Sequence, residues 1–381
     1  MRAEDALNRT QEIAQKILAP SAGENDKKAL FPAQTVRALG DAGLLGVGCP
    51  PEQGGLGSSP RLFFDVTAAL AEADASMAMV YTMHVCGTLC LAAARRGANV
   101  RSELEAIARG EHLTTLAFSE RGSRSHFWAP VSRAERVGSG VRLTATKSWV
   151  TSANNATSLV VSALAPDAKT PTDSSLYLVP RTARGVRVAA PWDGLGLRAN
   201  DSSPIELEGC EIPDEKRLTD DGAGFKAMLE VVLPFFNLGS AAVALGLCRA
   251  ATSATVTHLR TAQFEHMGTS IGEALPNLRA LLANMQIEAD GLAARMEDVI
   301  RHLESPNERT MLRVLESKAA AGEAAIRVTS DAMRACGGAA FSRHTSIERF
   351  FRDAHAGAVM APTVEVLREF IGKALLGIPL F

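Results

Sequence analysis

Two short stretches of the chain place an aromatic ring close to a hydroxyl group. Phe118 is followed by Ser119, and Trp149 stands two residues before Thr151. A flat heteroaromatic ligand needs an apolar surface against one face and hydrogen bonds at its polar edge, and these residue types supply both. Each residue alone also fits an ordinary structural role, with Trp149 in the core and Thr151 as a hydroxyl on a strand. Only the combination with other motifs can therefore indicate a ligand site.

Residues that could bind a metal ion or a charged polymer are sparse. The six cysteines are scattered with no CxxC pair, which predicts free thiols in a cytoplasmic protein and no metal site. The net charge of −2 over 381 residues argues against a nucleic-acid or anionic-membrane partner. The uncharged stretch 75–94 is as long as a membrane span, but its small and polar residues favour a helix buried in a helical domain.

The apolar pattern predicts an α+β fold with three parts. Residues 1–113 form an N-terminal helical domain, residues 114–215 a central β-barrel or sandwich of short strands, and residues 216–381 a C-terminal four-helix bundle. The period of the apolar residues changes from 3.6 to 2 near residue 114, as in 141–146. It returns to helical spacing after Pro213, and Pro362 predicts a break in the last helix. Within this part, one buried helix face is predicted from the 4-3-4-3 spacing of Met285, Ala289, Leu292, Met296 and Val299.

Six motifs in register resemble the acyl-CoA dehydrogenase flavoprotein family over nearly the whole chain. They are Leu44-Leu-Gly-Val-Gly-Cys-Pro50 with Glu52-Gln-Gly-Gly-Leu-Gly57, Phe118-Ser-Glu-Arg-Gly-Ser-Arg-Ser125, Lys147-Ser-Trp-Val-Thr151, Leu195-Gly-Leu-Arg-Ala-Asn-Asp201, Cys210-Glu-Ile-Pro213, and Cys336-Gly-Gly338 with Ile347-Glu-Arg-Phe-Phe-Arg-Asp353. Any one of these motifs is weak, but six in order indicate the family. The resemblance implies a flavin-dependent oxidoreductase and a homodimer or homotetramer.

The resemblance also implies which residues bind the flavin. The cofactor-binding positions are Phe118, Ser119, Ser125, Trp149, Thr151, Phe264, Gly337, Gly338 and Thr363, and Ser125 and Ala361 would also contact substrate. Gly337 and Gly338 would approach a cofactor held by a neighbouring subunit. FAD is favoured over FMN, although Arg260 is one residue out of register with the family's R-x-x-F arginine. Arg124 and His126 stand where the family usually has Gly and Asp.

Neither of the family's usual positions for a catalytic base holds a carboxylate. Eight residues after Asp353 stands Ala361, and the alternative position on an earlier helix holds Phe236. Removal of the α-proton of an acyl thioester needs a base, and Glu365, His355 and His84 are the remaining candidates.

Other features of the family's catalytic segment remain. Ala361 keeps its backbone N–H, which in the family polarises the thioester carbonyl. Gly357, Ala358 and Ala361 predict a cavity wall of small residues.

Three functions therefore stay open. The first is an acyl-CoA dehydrogenase-like enzyme with a displaced or altered base, acting on an acyl thioester carried by CoA or a carrier protein. The second is a flavin-dependent monooxygenase on the same fold, which uses a flavin hydroperoxide and needs no α-proton base. The third is a flavin-binding homologue without turnover. The first would need an electron-transfer partner and the second a flavin reductase.

Overall fold

The fold is known from a computed structural model that describes residues 2–124 and 126–381. The first part is helical, as predicted. Its helices are α1 (Ala3–Ile13), α2 (Ala19–Lys28), α3 (Ala33–Asp41), α4 (Pro60–Ala73), α5 (Ala75–Ala92) and α6 (Arg101–Ala108), and a π-helical turn at Ala14–Leu18 joins the first two.

Helix α5 is the apolar helix whose sequence resembles a membrane span. It and the helical region Gly224–Thr261 are long and apolar enough to cross a membrane. However, 89% and 78% of the most apolar 18-residue stretch of each are buried inside the protein. In α5 almost every residue is buried, and Asp74 caps the helix by accepting a hydrogen bond from Ser76 N–H at 2.8 Å. The prediction of a helix buried in a helical domain is confirmed.

The central part consists of two open sheets. Its strands are β1 (Thr114–Ala117), β2 (Ala134–Val137), β3 (Gly140–Val150), β4 (Ser158–Leu164), β5 (Ser174–Pro180), β6 (Val186–Val188) and β7 (Ser203–Ile212). One sheet has the order β1-β4-β5, with β1 and β4 parallel, and the other has the order β2-β3-β7-β6.

The two sheets pack face to face around one core. Leu143 and Leu207 from one sheet share a hydrophobic cluster with Val161 and Val179 from the other. In β3, buried and exposed residues alternate, as the period-2 pattern predicts for a strand with one face in the core. The sheets do not close into a barrel, so the sandwich form of the prediction is the one that the chain adopts.

Helices return after the sandwich. They are α7 (Gly224–Ala227), α8 (Leu233–Thr261), α9 (Ile271–Ala274), α10 (Pro276–Glu304), α11 (Thr310–Phe341), α12 (Ile347–Val359) and α13 (Val364–Leu376), with a two-stranded hairpin of β8 (Gln263–Phe264) and β9 (Thr269–Ser270) after α8. The predicted buried face of α10 is confirmed, since Met285, Ala289, Leu292, Met296 and Val299 are all buried.

The predicted break at Pro362 separates α12 from α13. Proline cannot donate a backbone hydrogen bond, and its ring disfavours helical backbone in the residue before it. Thr363 starts α13, and its hydroxyl accepts a hydrogen bond from Val366 N–H at 3.4 Å. The short segment between the two helices, residues 360–363, contains Ala361 and faces a large cavity.

Candidate active site

A cavity of about 980 Å³ lies between the sandwich and the C-terminal helices. Five of the predicted positions line it together: Phe118, Ser119, Trp149, Thr151 and Thr363. Ala361 and Phe236, the two positions that lack a carboxylate, line the same cavity. The sequence motifs therefore meet in space, although they are spread over more than 240 positions of the chain.

Strand β3 and the stretch after β1 form one wall of the cavity. Ser148 N–H donates to the carbonyl of Ser119 at 3.0 Å. This hydrogen bond holds residues 118–119 beside residues 149–151. The Trp149 ring stands edge-on to Trp192, with ring centroids 5.3 Å apart. The Thr151 hydroxyl lies 3.1 Å from that of Ser202.

The wall has the properties that a flavin requires. Trp149 has a positive φ of 62° and remains 63% exposed, so a large apolar ring is presented to the cavity rather than to the core. The side-chain oxygen of Asn200, which also lines the cavity, is buried without a hydrogen-bond partner among the described residues. An apolar ring face and an unused polar atom fit a flat cofactor with a polar edge. The cavity is also near the top of the usual range of about 300–1,000 Å³ for ligand sites.

A buried ion pair supports this wall from behind. Lys147 Nζ lies 2.5 Å from a carboxylate oxygen of Glu120, and both side chains are almost fully buried. The Glu120 carboxylate also accepts hydrogen bonds from the N–H groups of Val131 and Ser132 at 2.8 and 2.9 Å. Burial acts to raise the pKa of Glu120, but the charge of Lys147 and these hydrogen bonds outweigh it and hold the pKa below its usual value. Glu120 is thus committed to a structural ion pair.

The segment between α12 and α13 forms another part of the cavity lining. Lys318 on α11 is buried beneath it, and Lys318 Nζ donates to the carbonyls of Gly357, Met360 and Pro362 at 3.1, 2.9 and 2.7 Å. The Ala361 N–H donates to no residue in the described part of the chain. Sequence reasoning missed Lys318, although a single lysine in the Ala-rich stretch 317–322 of a buried helix face was a usable signal.

The three candidate bases differ in their access to the cavity. His355 on α12 lines the cavity, and its Nδ1 lies 2.8 Å from the carbonyl of Phe351. His84 is fully buried away from it, bonded to Leu45 and Thr114, and burial lowers the pKa of His84 to about 4. Glu365 is exposed in the first turn of α13 and does not line the cavity. The structure therefore favours His355 among the three.

The predicted wall of small residues is only partly correct. Ala356 and Ala361 line the cavity. Gly357 faces helix α11 instead, where a Cβ at this position would lie 3.8 Å from Gly322, and Ala358 packs in a hydrophobic cluster. The error arises because residues 357 and 358 are still helical, so successive side chains point about 100° apart around α12.

The remaining predicted positions within the described residues lie outside the cavity of this chain. Phe264 lies on the β8–β9 hairpin, and Gly337 and Gly338 lie near the end of α11 with open space where a Cβ would be. Arg260 is exposed at the end of α8. Ser125 lies outside the described residues.

The two departures from the family pattern near residue 125 have different positions. Arg124 lines the cavity and has a positive φ of 48°, a backbone conformation that favours the Gly usual at this position. His126 is exposed and stacks on Trp128, with ring centroids 4.9 Å apart. Among the residues that the structure describes, no group of three or more His, Cys, Asp or Glu side chains is placed to hold a metal ion.

Family sequence profiles match the chain in three consecutive segments. The acyl-CoA dehydrogenase N-terminal domain matches residues 3–111, the middle domain residues 115–210 and the C-terminal domain residues 222–376. The chain belongs to the acyl-CoA dehydrogenase family. Members of this family bind a flavin, generally FAD, and the chain is a flavin-dependent oxidoreductase.

Individual acyl-CoA dehydrogenases resemble the chain over almost its full length. It is 28% identical to the mitochondrial short-chain specific acyl-CoA dehydrogenase of Rattus norvegicus, over 96% of this chain and 88% of that protein. It is 26% identical to FadE25 of Mycobacterium tuberculosis, named as a probable acyl-CoA dehydrogenase, over 96% and 92% of the two chains. The structure of butyryl-CoA dehydrogenase from Megasphaera elsdenii superposes with a TM-score of 0.91 at 21% identity, covering 98% of both chains.

Proposed function

We propose that this member of the family is an FAD-dependent oxidoreductase that removes hydrogen from Cα and Cβ of an acyl thioester, with His355 in place of the usual carboxylate. The observation that carries the proposal is the set of proton acceptors in the cavity. Of the described side chains that line it, Glu120 and His355 can accept a proton, and Glu120 is held in the ion pair with Lys147.

The contacts of His355 support a role as the acceptor of the α-proton. The short contact between its Nδ1 and the carbonyl of Phe351 assigns the proton of the neutral ring to Nδ1, which leaves Nε2 as the acceptor. The ring also stands edge-on to Phe351, with centroids 4.8 Å apart, which restricts its rotation. Nε2 has no hydrogen-bond partner among the described residues. A restricted ring with an open Nε2 is the arrangement that general-base catalysis by histidine requires.

The Ala361 N–H would bind the thioester carbonyl. A hydrogen bond to this oxygen stabilises the negative charge that develops as the α-proton leaves. Ala361 and His355 line the same cavity, so one bound substrate would present its carbonyl to Ala361 and its Cα to His355. Bound FAD would supply the acceptor for the hydride from Cβ, and Trp149, Thr151 and Thr363 are the residues that would hold its ring and its polar edge.

The first experiment is an anaerobic titration of the purified protein. Its flavin is extracted and identified by chromatography, and the visible absorption is followed while acyl-CoA thioesters of increasing chain length are added. We expect FAD and bleaching by at least one thioester. A flavin that no thioester reduces would overturn the proposal.

A monooxygenase remains the second candidate, and the absence of a free carboxylate in the described cavity lining favours it. With Ala356 and Ala361 on the wall, the cavity also has space for a bulkier substrate or for oxygen. This function predicts that thioesters leave the flavin oxidised, while a separately reduced flavin and oxygen give an oxygenated product. Flavin binding with neither reaction would instead indicate a homologue without turnover.

A further inference from the structure

A buried lysine supports the backbone segment that faces the substrate side of the cavity. The side chain of Lys318 is almost completely buried, and its hydrogen bonds go to backbone carbonyls rather than to a carboxylate. Its three hydrogen bonds all go to carbonyls of residues 357–362, which comprise the last turn of α12 and the segment that follows it. A protonated lysine has three N–H donors, and in that form Lys318 uses all of them on these carbonyls.

These hydrogen bonds fix the direction of the Ala361 N–H. The Met360–Ala361 peptide is trans, and in a trans peptide the C=O and the N–H point in opposite directions. Lys318 binds the Met360 carbonyl at 2.9 Å from the protein side of the segment. The Ala361 N–H of the same peptide therefore points away from Lys318, and Met360 and Ala361 both line the cavity on that other side.

Lys318 itself is kept away from the cavity. Its Nζ lies 5.9 Å from the centre of the Phe236 ring, and Phe236 lines the cavity. The aromatic ring thus lies beside the ammonium group, and the cation–π contact also stabilises the charge. Lys318 does not line the cavity, so its role in the reaction must act through the backbone that it binds.

The position is costly for a residue that only fills space. Burial lowers the pKa of Lys318 to about 7, and the negative charge of Glu365 only partly opposes this. An apolar side chain of similar volume would pack here without the cost of removing a charge from water. A buried lysine whose donors all meet one backbone segment indicates a requirement for that segment's geometry.

We infer that Lys318 is a positioning residue, which holds the Met360–Ala361 peptide so that the Ala361 N–H donates to the carbonyl oxygen of the bound thioester. Its hydrogen bond to the Met360 carbonyl also polarises the peptide and makes the Ala361 N–H a stronger donor. The inference rests on the proposed function, because it requires a thioester in the cavity.

The test measures carbonyl polarisation rather than turnover. Acetyl-CoA labelled with ¹³C at its carbonyl has no Cβ, so it cannot be dehydrogenated, and its carbonyl stretch is recorded by infrared difference spectroscopy. In the wild-type holoenzyme the stretch should move to lower frequency on binding. In Lys318→Met at least half of this shift should disappear, and the dissociation constant should rise about tenfold, as for the loss of one good hydrogen bond.

A matched control removes another lysine that donates to a backbone carbonyl. Lys373 on α13 lies 3.4 Å from the carbonyl of Leu380 and does not line the cavity, so Lys373→Met should keep the wild-type shift. A full shift in FAD-loaded Lys318→Met would overturn the inference. Lys318→Gln supplies an amide N–H donor in place of the ammonium group and should give an intermediate shift. This variant replaces Lys318→Met in the test if the Met variant does not fold. If the wild-type protein binds neither acetyl-CoA nor longer thioesters, the proposed function itself fails.

Discussion

The side chain at position 361 decides whether the cavity contains a carboxylate next to the carbonyl-binding N–H. Ala361→Glu should therefore create or raise acyl-CoA dehydrogenase activity, by about 10²-fold or more, because a positioned general base contributes about 10²–10⁴ to such a rate. Ala361 lines the cavity with open volume beside it, so the longer side chain has space. The measurement is the anaerobic rate of flavin reduction by the best thioester. Ala361→Gln is the control that cannot ionise, and a Glu variant that binds FAD and thioester without any gain would contradict the placement.

His355 is the residue whose loss should stop the reaction in the wild-type protein. His355→Gln keeps a polar side chain but has no nitrogen base, so flavin reduction should slow by about 10²–10⁴-fold while thioester affinity changes little. Stopped-flow reduction and equilibrium binding separate the two effects. Glu365→Gln is the matched control, because Glu365 is exposed and does not line the cavity. A larger loss of rate in Glu365→Gln than in His355→Gln would assign the base to Glu365 instead.

The ion pair between Lys147 and Glu120 ties β3 to the stretch after β1. Lys147→Met leaves the buried Glu120 carboxylate without its cation, and it should lower the free energy of unfolding by about 3–5 kcal/mol. The double variant Lys147→Met/Glu120→Gln removes both charges and should recover about half of that loss. Urea unfolding of the single and double variants measures the coupling. A cost below about 1 kcal/mol for Lys147→Met would show that the pair does not stabilise this wall.

Asp353 joins α12 to the loop before β7, and its protonation makes stability depend on pH. Its carboxylate accepts a hydrogen bond from Leu197 N–H at 2.7 Å, yet burial raises the pKa of Asp353 to about 7. The unfolded value is about 3.9. Between these two values the folded protein keeps a proton that the unfolded chain has lost, so the stabilising contribution of Asp353 is complete below about pH 4 and is lost as the pH rises to about 7.

Asp353→Asn should remove this dependence, because the amide does not ionise and its oxygen can still accept from Leu197 N–H. Relative to the wild type, the variant should become more stable by up to roughly 4 kcal/mol as the pH rises from 4 to 8. Urea unfolding at each pH unit checks this. Asp193 is 94% exposed, so Asp193→Asn should give the wild-type pH profile. Parallel profiles for Asp353→Asn and the wild type would contradict the buried-acid interpretation.

At the scale of the whole molecule, residue spacing predicted most of the fold. Alternation in 141–146 predicted β3, helical spacing from Met285 to Val299 predicted the buried face of α10, and Pro362 predicted the break between α12 and α13. These signals are local, since each depends on which face of one element is buried. Closure of the sheets was not predictable, because a barrel and a sandwich need the same alternation and differ only in pairing between distant strands.

The candidate site was predicted where it depends on motifs and missed where it depends on packing. Trp149, Thr151 and Thr363 were identified from register, and all line the cavity. Lys318 was missed because its importance comes from carbonyls about 40 residues further along the chain. Gly357 was misplaced because its direction depends on the rotation of α12 against α11, which the spacing alone does not give.

The assembly of subunits is the largest-scale prediction, and Gly338 offers a test. Gly338 is exposed on α11 with open space around it, and Phe341 one turn later is 84% exposed. In a monomer, a large side chain at 338 should therefore be harmless. If a second subunit and its cofactor approach this face, Gly338→Tyr should lower the FAD-to-protein ratio at least about fivefold and shift the mass toward the monomer, since the ring would occupy interface space.

Light scattering and flavin quantification of the purified variant measure both effects. Gly291 on α10 is also exposed with open space for a side chain, so Gly291→Tyr is a control for the general effect of a bulky residue on a helix surface. Loss of FAD in the first variant alone would require a cofactor site that spans two subunits, because Gly338 does not line the cavity of its own chain. Wild-type mass and FAD content in Gly338→Tyr would confine the flavin to a single subunit and contradict the predicted homodimer or homotetramer contact.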